Sequence, residues 1–375
     1  MQVRLLALVV LALLASCRHA PRSGLDFEEA WPDELSAWRV FERQGNRLIL
    51  NRGAVPYEVN SALFSDYAHK LRSIFVPPGT AIRYGADAFE FPIGTVISKT
   101  FYYPLAERSQ SSAATAVAKQ LGPNKAATLD LDRVRVLETR LLVKTRSGWV
   151  ALPYVWNDAQ TEAAFEPAGE AFELELVAGD TRTPFTYLVP DAHQCASCHA
   201  ADYRQQRLEP IGIKARHLNR DYPYASGVEN QLTHWRRIGL LTNSPDPERA
   251  PRLARWEAEG ESLNTRARAY LDINCGHCHS ANAAANSSAL RLDVHESESV
   301  HLGICKIPVA SGRGSGLGAF DIVPGAPEQS ILLHRMRSTE PDVAMPELGR
   351  SLVHEEAVSL IEEWIAALPG SCDPA

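Results

Sequence analysis

Val136-Leu137-Glu138-Thr139-Arg140-Leu141-Leu142-Val143-Lys144, a break at Thr145 to Gly148, then Trp149-Val150-Ala151-Leu152-Pro153-Tyr154-Val155-Trp156 is the stretch on which the architecture turns. Val and Leu recur in the first arm, Trp, Tyr and Val in the second, and Gly148 closes the break, so the pair reads as an antiparallel hairpin. The alternation of apolar and polar positions is partial, which suits a sheet with one buried face. Similar runs lie upstream, at Ile74-Phe75-Val76 before Pro77-Pro78-Gly79 and at Thr95 to Tyr103. Together they predict a β-rich domain over 48–189. Within it, Ser109 to Ala127 is rich in Ser and Ala and reads as an inserted loop with a short helix. Trp149, Tyr154 and Trp156 read as core or sheet-face residues, and no catalytic set is visible in this domain. Residues 18–47 read as a polar leader with a short amphipathic piece, Glu34 to Glu42.

After Pro190 the character of the chain changes. Cys195-Ala196-Ser197-Cys198-His199 is followed, after a long interval, by Cys275-Gly276-His277-Cys278-His279. On one helical turn residues i, i+3 and i+4 share a face, so two thiols can bond the vinyl edge of a haem while the imidazole reaches its iron. Each pentapeptide therefore reads as a covalent haem c site, with Cys195, Cys198, Cys275 and Cys278 as attachment points and His199 and His279 as iron ligands. A thioredoxin-type dithiol would sit in a βαβ pattern, and a zinc ribbon would place its cysteine pairs about 15 to 20 residues apart; neither fits.

Around these motifs the periodicity becomes helical. Asn230 to Gly239 reads as a helix closed by Gly, Asn243 to Pro251 as a Pro-rich linker, and Ser262 to Asn274 and Val353 to Leu368 as amphipathic helices. The expected fold class is α+β multidomain: the β-rich domain, then mostly α-helical haem domains, with a first haem segment at 190–258 and a second at 259–375. Ala344-Met345-Pro346 lies at a suitable remove from His279, and Met345 is the expected sixth ligand of the second haem; Met336 reads as a core filler. For the first haem, His234 is the leading distal candidate, with His217, Tyr203, Met336 or an open position as alternatives. Gly312 to Gly318 lacks the strand and helix context of a phosphate loop and reads as a haem-edge loop whose Arg313 could pair with a propionate.

Over its 375 residues the chain carries a net charge of -7, which leaves no basic footprint for nucleic acid. Arg4, the apolar run Leu5 to Ala15 and Leu14-Ala15-Ser16-Cys17 form an export signal over 1–17, too short to span a bilayer comfortably. Leu-Ala-Ser-Cys resembles a lipobox, so the expectation is a periplasmic protein anchored through a lipid on Cys17 to the outer or inner membrane. With four cysteines given to haem, Cys305 and Cys372 remain, either bridged or free.

The order helix, Cys-x-x-Cys-His, long loop with Met, closing helix makes 259–375 resemble a class I cytochrome c. Asn60 to Ala68, Ala151 to Asn157, Arg266 to Cys275 and Met345 to Arg350 are similar to strings in a bacterial family of dihaem c-type cytochromes with a β-rich N-terminal domain, a resemblance that spans nearly the whole exported chain. It implies two covalently attached haems c, export and redox partner proteins in the periplasm, but no substrate. The expected function is electron transfer through two haems; the alternative is a dihaem peroxidase or oxidase with one open or His-gated iron.

Overall fold

The structure is a computed structural model that describes residues 30–106, 115–119, 127–310, 312–316 and 318–372. The export signal, Cys17 and most of the Ser109 to Ala127 insert fall outside these residues.

The hairpin of Val134–Thr145 and Gly148–Trp156 is the centre of a six-stranded antiparallel sheet. In spatial order the sheet runs Ala163–Phe165, Gly148–Trp156, Val134–Thr145, Val96–Pro104, His69–Phe75 and Val55–Tyr57. Its alternation is only partial because both faces are covered, and Val134–Thr145 is buried along almost its whole length. On one face Val136, Leu141, Val143, Leu152 and Tyr154 pack against Leu35, Trp38, Leu48 and Leu129. The leader is thus built into the core from residue 35 on, as a 3-10 turn, Leu35–Trp38, and a hairpin, Phe41–Gln44 with Arg47–Leu50, where the sequence suggested one amphipathic piece. On the opposite face two apolar clusters form. Ile74, Ile97 and Leu142 pack against Ile213, Leu218, Leu232 and Trp235, while Phe101 and Leu137 pack against Leu174, Leu176, Phe185 and Tyr187.

The hairpin Glu170–Ala178 with Thr181–Val189 supplies the last of these residues and delivers the chain to the first motif. Asp191 caps the helix that follows, α1 (Ala192–His199), through a capping box in which Gln194 N–H donates to Asp191 Oδ1 at 2.7 Å and Asp191 N–H donates to Gln194 Oε1 at 3.1 Å. Beyond α1 come α2 (Ala215–Leu218), α3 (Gln231–Arg237), α4 (Leu263–Leu271), α5 (Ile331–Arg337) and α6 (Glu355–Ala366). Helices α4, α5 and α6 share a core of Tyr270, Leu271, Leu333, Met336, Val358, Ile361 and Trp364, with Trp364 Nε1 donating to Asn264 Oδ1 at 3.0 Å.

The expectation of mostly α-helical haem domains of the cytochrome c type is overturned. Strand accounts for 30% of the structure and helix for 20%, and the α-helices of the described residues are the six short ones just named. The segment 190–258 is no separate helical unit. It holds the hairpins Ala200–Asp202 with Arg207–Leu208 and Asp221–Tyr224 with Gly227–Asn230, lends Leu241–Thr242 to a parallel pair with Ile82–Arg83, and shares one core with the large sheet. Between α4 and α5 the chain is loop with one π-helical turn and brief 3-10 turns. The physical reason is that Cys-x-x-Cys-His specifies about one helical turn and nothing about its surroundings. Pro and Gly interrupt the flanking runs, so the chain wraps rather than coils.

Candidate functional site

Both pentapeptides open into one cavity of about 480 Å³, although 80 residues of sequence separate the equivalent positions Cys195 and Cys275. Cys195, Cys198 and His199 line it from α1, and Cys275, His277, Cys278 and His279 from the segment after α4. This volume lies in the range of small-molecule and cofactor sites. The wall between the motifs is largely apolar, including Ile97, Leu142, Ile213 and Leu292.

The second motif starts in a π-helical turn, Asp272–Gly276, that extends α4, and His279 N–H donates to Cys275 carbonyl oxygen at 2.8 Å. Gly276 is required by a close approach: a Cβ there would meet Asp293 Cα at 2.9 Å and its nitrogen at 3.1 Å, which are backbone atoms that cannot swing aside. The first of the two residues between the cysteines is therefore small, so that the returning chain can pass against the motif.

The two imidazoles are held in the same manner. His199 Nδ1 lies 2.8 Å from the Glu209 carbonyl and donates to it, and His279 Nδ1 lies 3.4 Å from Ser288 Oγ with a backbone hydrogen bond to Leu290. Fixing Nδ1 in this way leaves Nε2 as the free lone pair, the arrangement expected of a ring that ligates a metal. Burial pushes the His199 ring down to about 3 and the His279 ring down to about 4, so both are neutral and able to coordinate.

The four motif cysteines are free thiols, whereas Cys305 and Cys372 form a disulfide with their Cα atoms 5.3 Å apart. Burial raises Cys195, and raises Cys275 to about 12. Cys198 and Cys278, one from each motif, share a hydrogen bond that lowers the first and raises the second. Among the described residues no group of three or more His, Cys, Asp and Glu side chains is arranged to hold a metal ion without help from another group. Two thiols and one imidazole in each motif are the donors that would hold a haem, which brings four ligands of its own.

Met345 lines the same cavity, as does Met336 from α5. The loop that carries Met345 is fastened by Arg350, which donates through Nη2 to the carbonyls of Met345 and Ser338, both at 2.8 Å. His234 is not brought to the cavity wall. It stacks on Tyr224 at 3.4 Å between ring centroids and its Nδ1 lies 2.8 Å from Glu229 Oε2. His217 is buried with its Nε2 3.2 Å from Asp272 Oδ2, and Tyr203 is 48% exposed; neither lines the cavity. Arg313 is exposed and also outside the wall.

Sequence reasoning missed the contribution of the large sheet. Arg72, Lys99 and Arg140 project into the cavity from three adjacent strands. The signal was available, because a Lys or Arg within a strand buried on both faces has to serve some partner. Among the described residues no helix is long and apolar enough to cross a membrane. No protein-family model matches the chain, and neither the curated proteins nor the solved structures contain a match to it.

Proposed function

We propose that this chain is an exported, lipid-anchored dihaem c-type cytochrome that passes electrons between redox partner proteins of the periplasm. One observation carries the reading: two Cys-x-x-Cys-His motifs, distant in sequence, turn their thiols and imidazoles into a single cavity that also receives Met345. In this reading Cys195 and Cys198 hold one haem and Cys275 and Cys278 the other. His199 and His279 ligate through Nε2, and Met345 is the sixth ligand of the second. The haems supply one-electron redox chemistry. The chain fixes the imidazole tautomers through Glu209, Ser288 and Leu290, keeps both rings neutral by burial, and excludes water with the apolar wall. Motifs that share one cavity would hold both haems within a single site, an arrangement that favours relay within the protein.

The test is expression with a c-type haem attachment system, followed by the mass of the intact chain and the alkaline pyridine spectrum. Two haems per chain are expected, and one after Cys195→Ala with Cys198→Ala. A wild-type chain that leaves this system without covalent haem refutes the proposal. Two low-spin six-coordinate irons and no peroxide turnover would favour relay, whereas a high-spin iron with peroxide turnover would move the assignment to a dihaem peroxidase.

A further inference from the structure

The face of the large sheet that looks into the cavity carries a row of cations. Arg72 is directly opposite Lys99 on the neighbouring strand, and Lys99 is directly opposite Arg140 on the next. Like charges in such cross-strand positions destabilise a sheet, and a buried cation without a partner costs more still. Two members of the row have partners. Arg72 Nη1 lies 3.0 Å from Glu58 Oε2, and Arg140 forms a two-pronged pair with Glu138 at 2.7 and 2.5 Å. Among the described residues the Lys99 ammonium has neither a carboxylate nor a carbonyl partner, and its nitrogen stands 5.3 Å from the centroid of the Phe101 ring. Burial first, then the charges of Arg140 and Arg72, push Lys99 down to about 7.

Lys99 stands between two paired arginines, with only the carboxylate of Glu138 acting on it from beyond hydrogen-bond distance, so it is the member of the row left to meet an anion from outside the polypeptide. The direction in which it faces says which. Lys99 and Arg140 both act electrostatically on Cys195 and His199 of the first motif, and all of these groups line the same cavity. The cations near the second motif are already engaged: Lys306 with Asp321 at 2.9 Å, Arg335 with the Val343 carbonyl at 2.9 Å, and Arg350 with the Met345 carbonyl.

We propose that the Arg72, Lys99 and Arg140 row is the receptor for the propionate carboxylates of the haem held by Cys195, Cys198 and His199, with Lys99 as its central contact. This rests on the dihaem reading above and deepens it. The β-sheet then has a direct part in the redox site: a charge-assisted carboxylate pair fixes the orientation of the ring, and a cation beside the haem favours its reduced form. Lys99 is a positioning and tuning residue rather than an iron ligand.

The experiment compares wild type, Lys99→Gln and Lys99→Arg as the full haem-loaded chain, by haem count and by spectroelectrochemical titration. A wild-type chain without haem sinks the dihaem reading itself. With two haems present, Lys99→Gln is expected to lower one of the two reduction potentials by at least the equivalent of a tenfold change in a one-electron equilibrium, about 59 mV. The other potential should stay in place, and Lys99→Arg should restore the first. Loss of one haem in Lys99→Gln with retention in Lys99→Arg supports the same conclusion. A second measurement guards against a merely structural effect: in a Cys195→Ala, Cys198→Ala background, Lys99→Gln should raise stability to urea, because it removes a half-buried cation, set between two arginines, with no anion to meet. Unchanged potentials, an equal shift of both haems, no rescue by Arg, or destabilisation in that background would each overturn the proposal.

Discussion

Asp66 ties the Met345 loop to the β-domain, and its replacement gives the most quantitative test of how the site is held. The carboxylate is 2% exposed and accepts hydrogen bonds from the Ser351 N–H at 2.8 and 2.9 Å and the Leu352 N–H at 2.7 Å. Next to them Arg350 grips the Met345 carbonyl, so slack at 351 and 352 is passed directly to Met345. Asp66→Ala strips two half-buried N–H groups of their acceptor. At the low end of about 1–3 kcal/mol for each, the loop loses about 2 kcal/mol, which is roughly a thirtyfold rise in amide exchange at Ser351 and Leu352. Asp66→Asn keeps an acceptor in place and removes the charge. Burial pushes the Asp66 carboxyl up to about 6 from its ordinary 3.8, against the pull of the Leu352 and Ser351 amides and of Arg350 and Lys70. A raised acid in the folded state binds a proton that the unfolded chain releases, so its contribution to stability is full below about pH 4 and is lost as the pH climbs to about 6. The loss amounts to about 3 kcal/mol. Asp66→Asn should therefore abolish this slope and, at neutral pH, stand within about 2 kcal/mol of wild type, because relief of charge burial offsets the weaker hydrogen bonds. Hydrogen exchange at the two amides and urea titrations from pH 4 to 7 read both effects. If Asp66→Asn loosens the loop as much as Asp66→Ala, or if the slope survives it, the reasoning fails.

Three further outcomes are expected. Replacing Cys305 and Cys372 together by Ser opens a covalent loop of 67 residues, and chain entropy puts the cost at about 4 kcal/mol; a shift in urea stability below about 1 kcal/mol would show that the bridge acts by other means. Met345→Ala should leave two haems bound and lower the reduction potential of one, with loss of the methionine-to-iron charge-transfer band; an intact band shows that another group is the ligand. Gly276→Ala drives a Cβ to within 2.9 Å of the Asp293 backbone and should cost about 1–3 kcal/mol, together with occupancy of the second haem, whereas Ala196→Gly in the equivalent position of the first motif should leave the second haem fully loaded.

The central hairpin was legible because its residue types and its turn agree, and the structure extends its strands by no more than two residues, with Trp156 the last residue in both. Helices α3, α4 and α6 were legible for the same reason, since N-caps such as Asn230 and Ser262 and apolar spacing point the same way. What stayed hidden depends on contacts between distant segments. That both motifs face one cavity cannot be read from either, and the sheet's cation row is a product of strand register. The helical expectation for 190–372 came from treating a local motif as a fold, when short hairpins and loops account for most of that region. His234 had a suitable residue type and helix, yet its ring is committed to Tyr224 and Glu229.

The nearness of Cys198 to Cys278 would impose an order of events on the maturing chain if both carry haem. Both sulfurs belong to thioether bonds in the finished cytochrome proposed above, and an oxidising compartment joins neighbouring thiols. A chain that closed its cavity first would offer these two to an oxidant as a disulfide, and neither could then be alkylated. In the proposed cytochrome, haem attachment would therefore have to come before the second motif docks on the first. Until then the 75 residues between His199 and Cys275 would serve as a tether that keeps the two reaction sites apart.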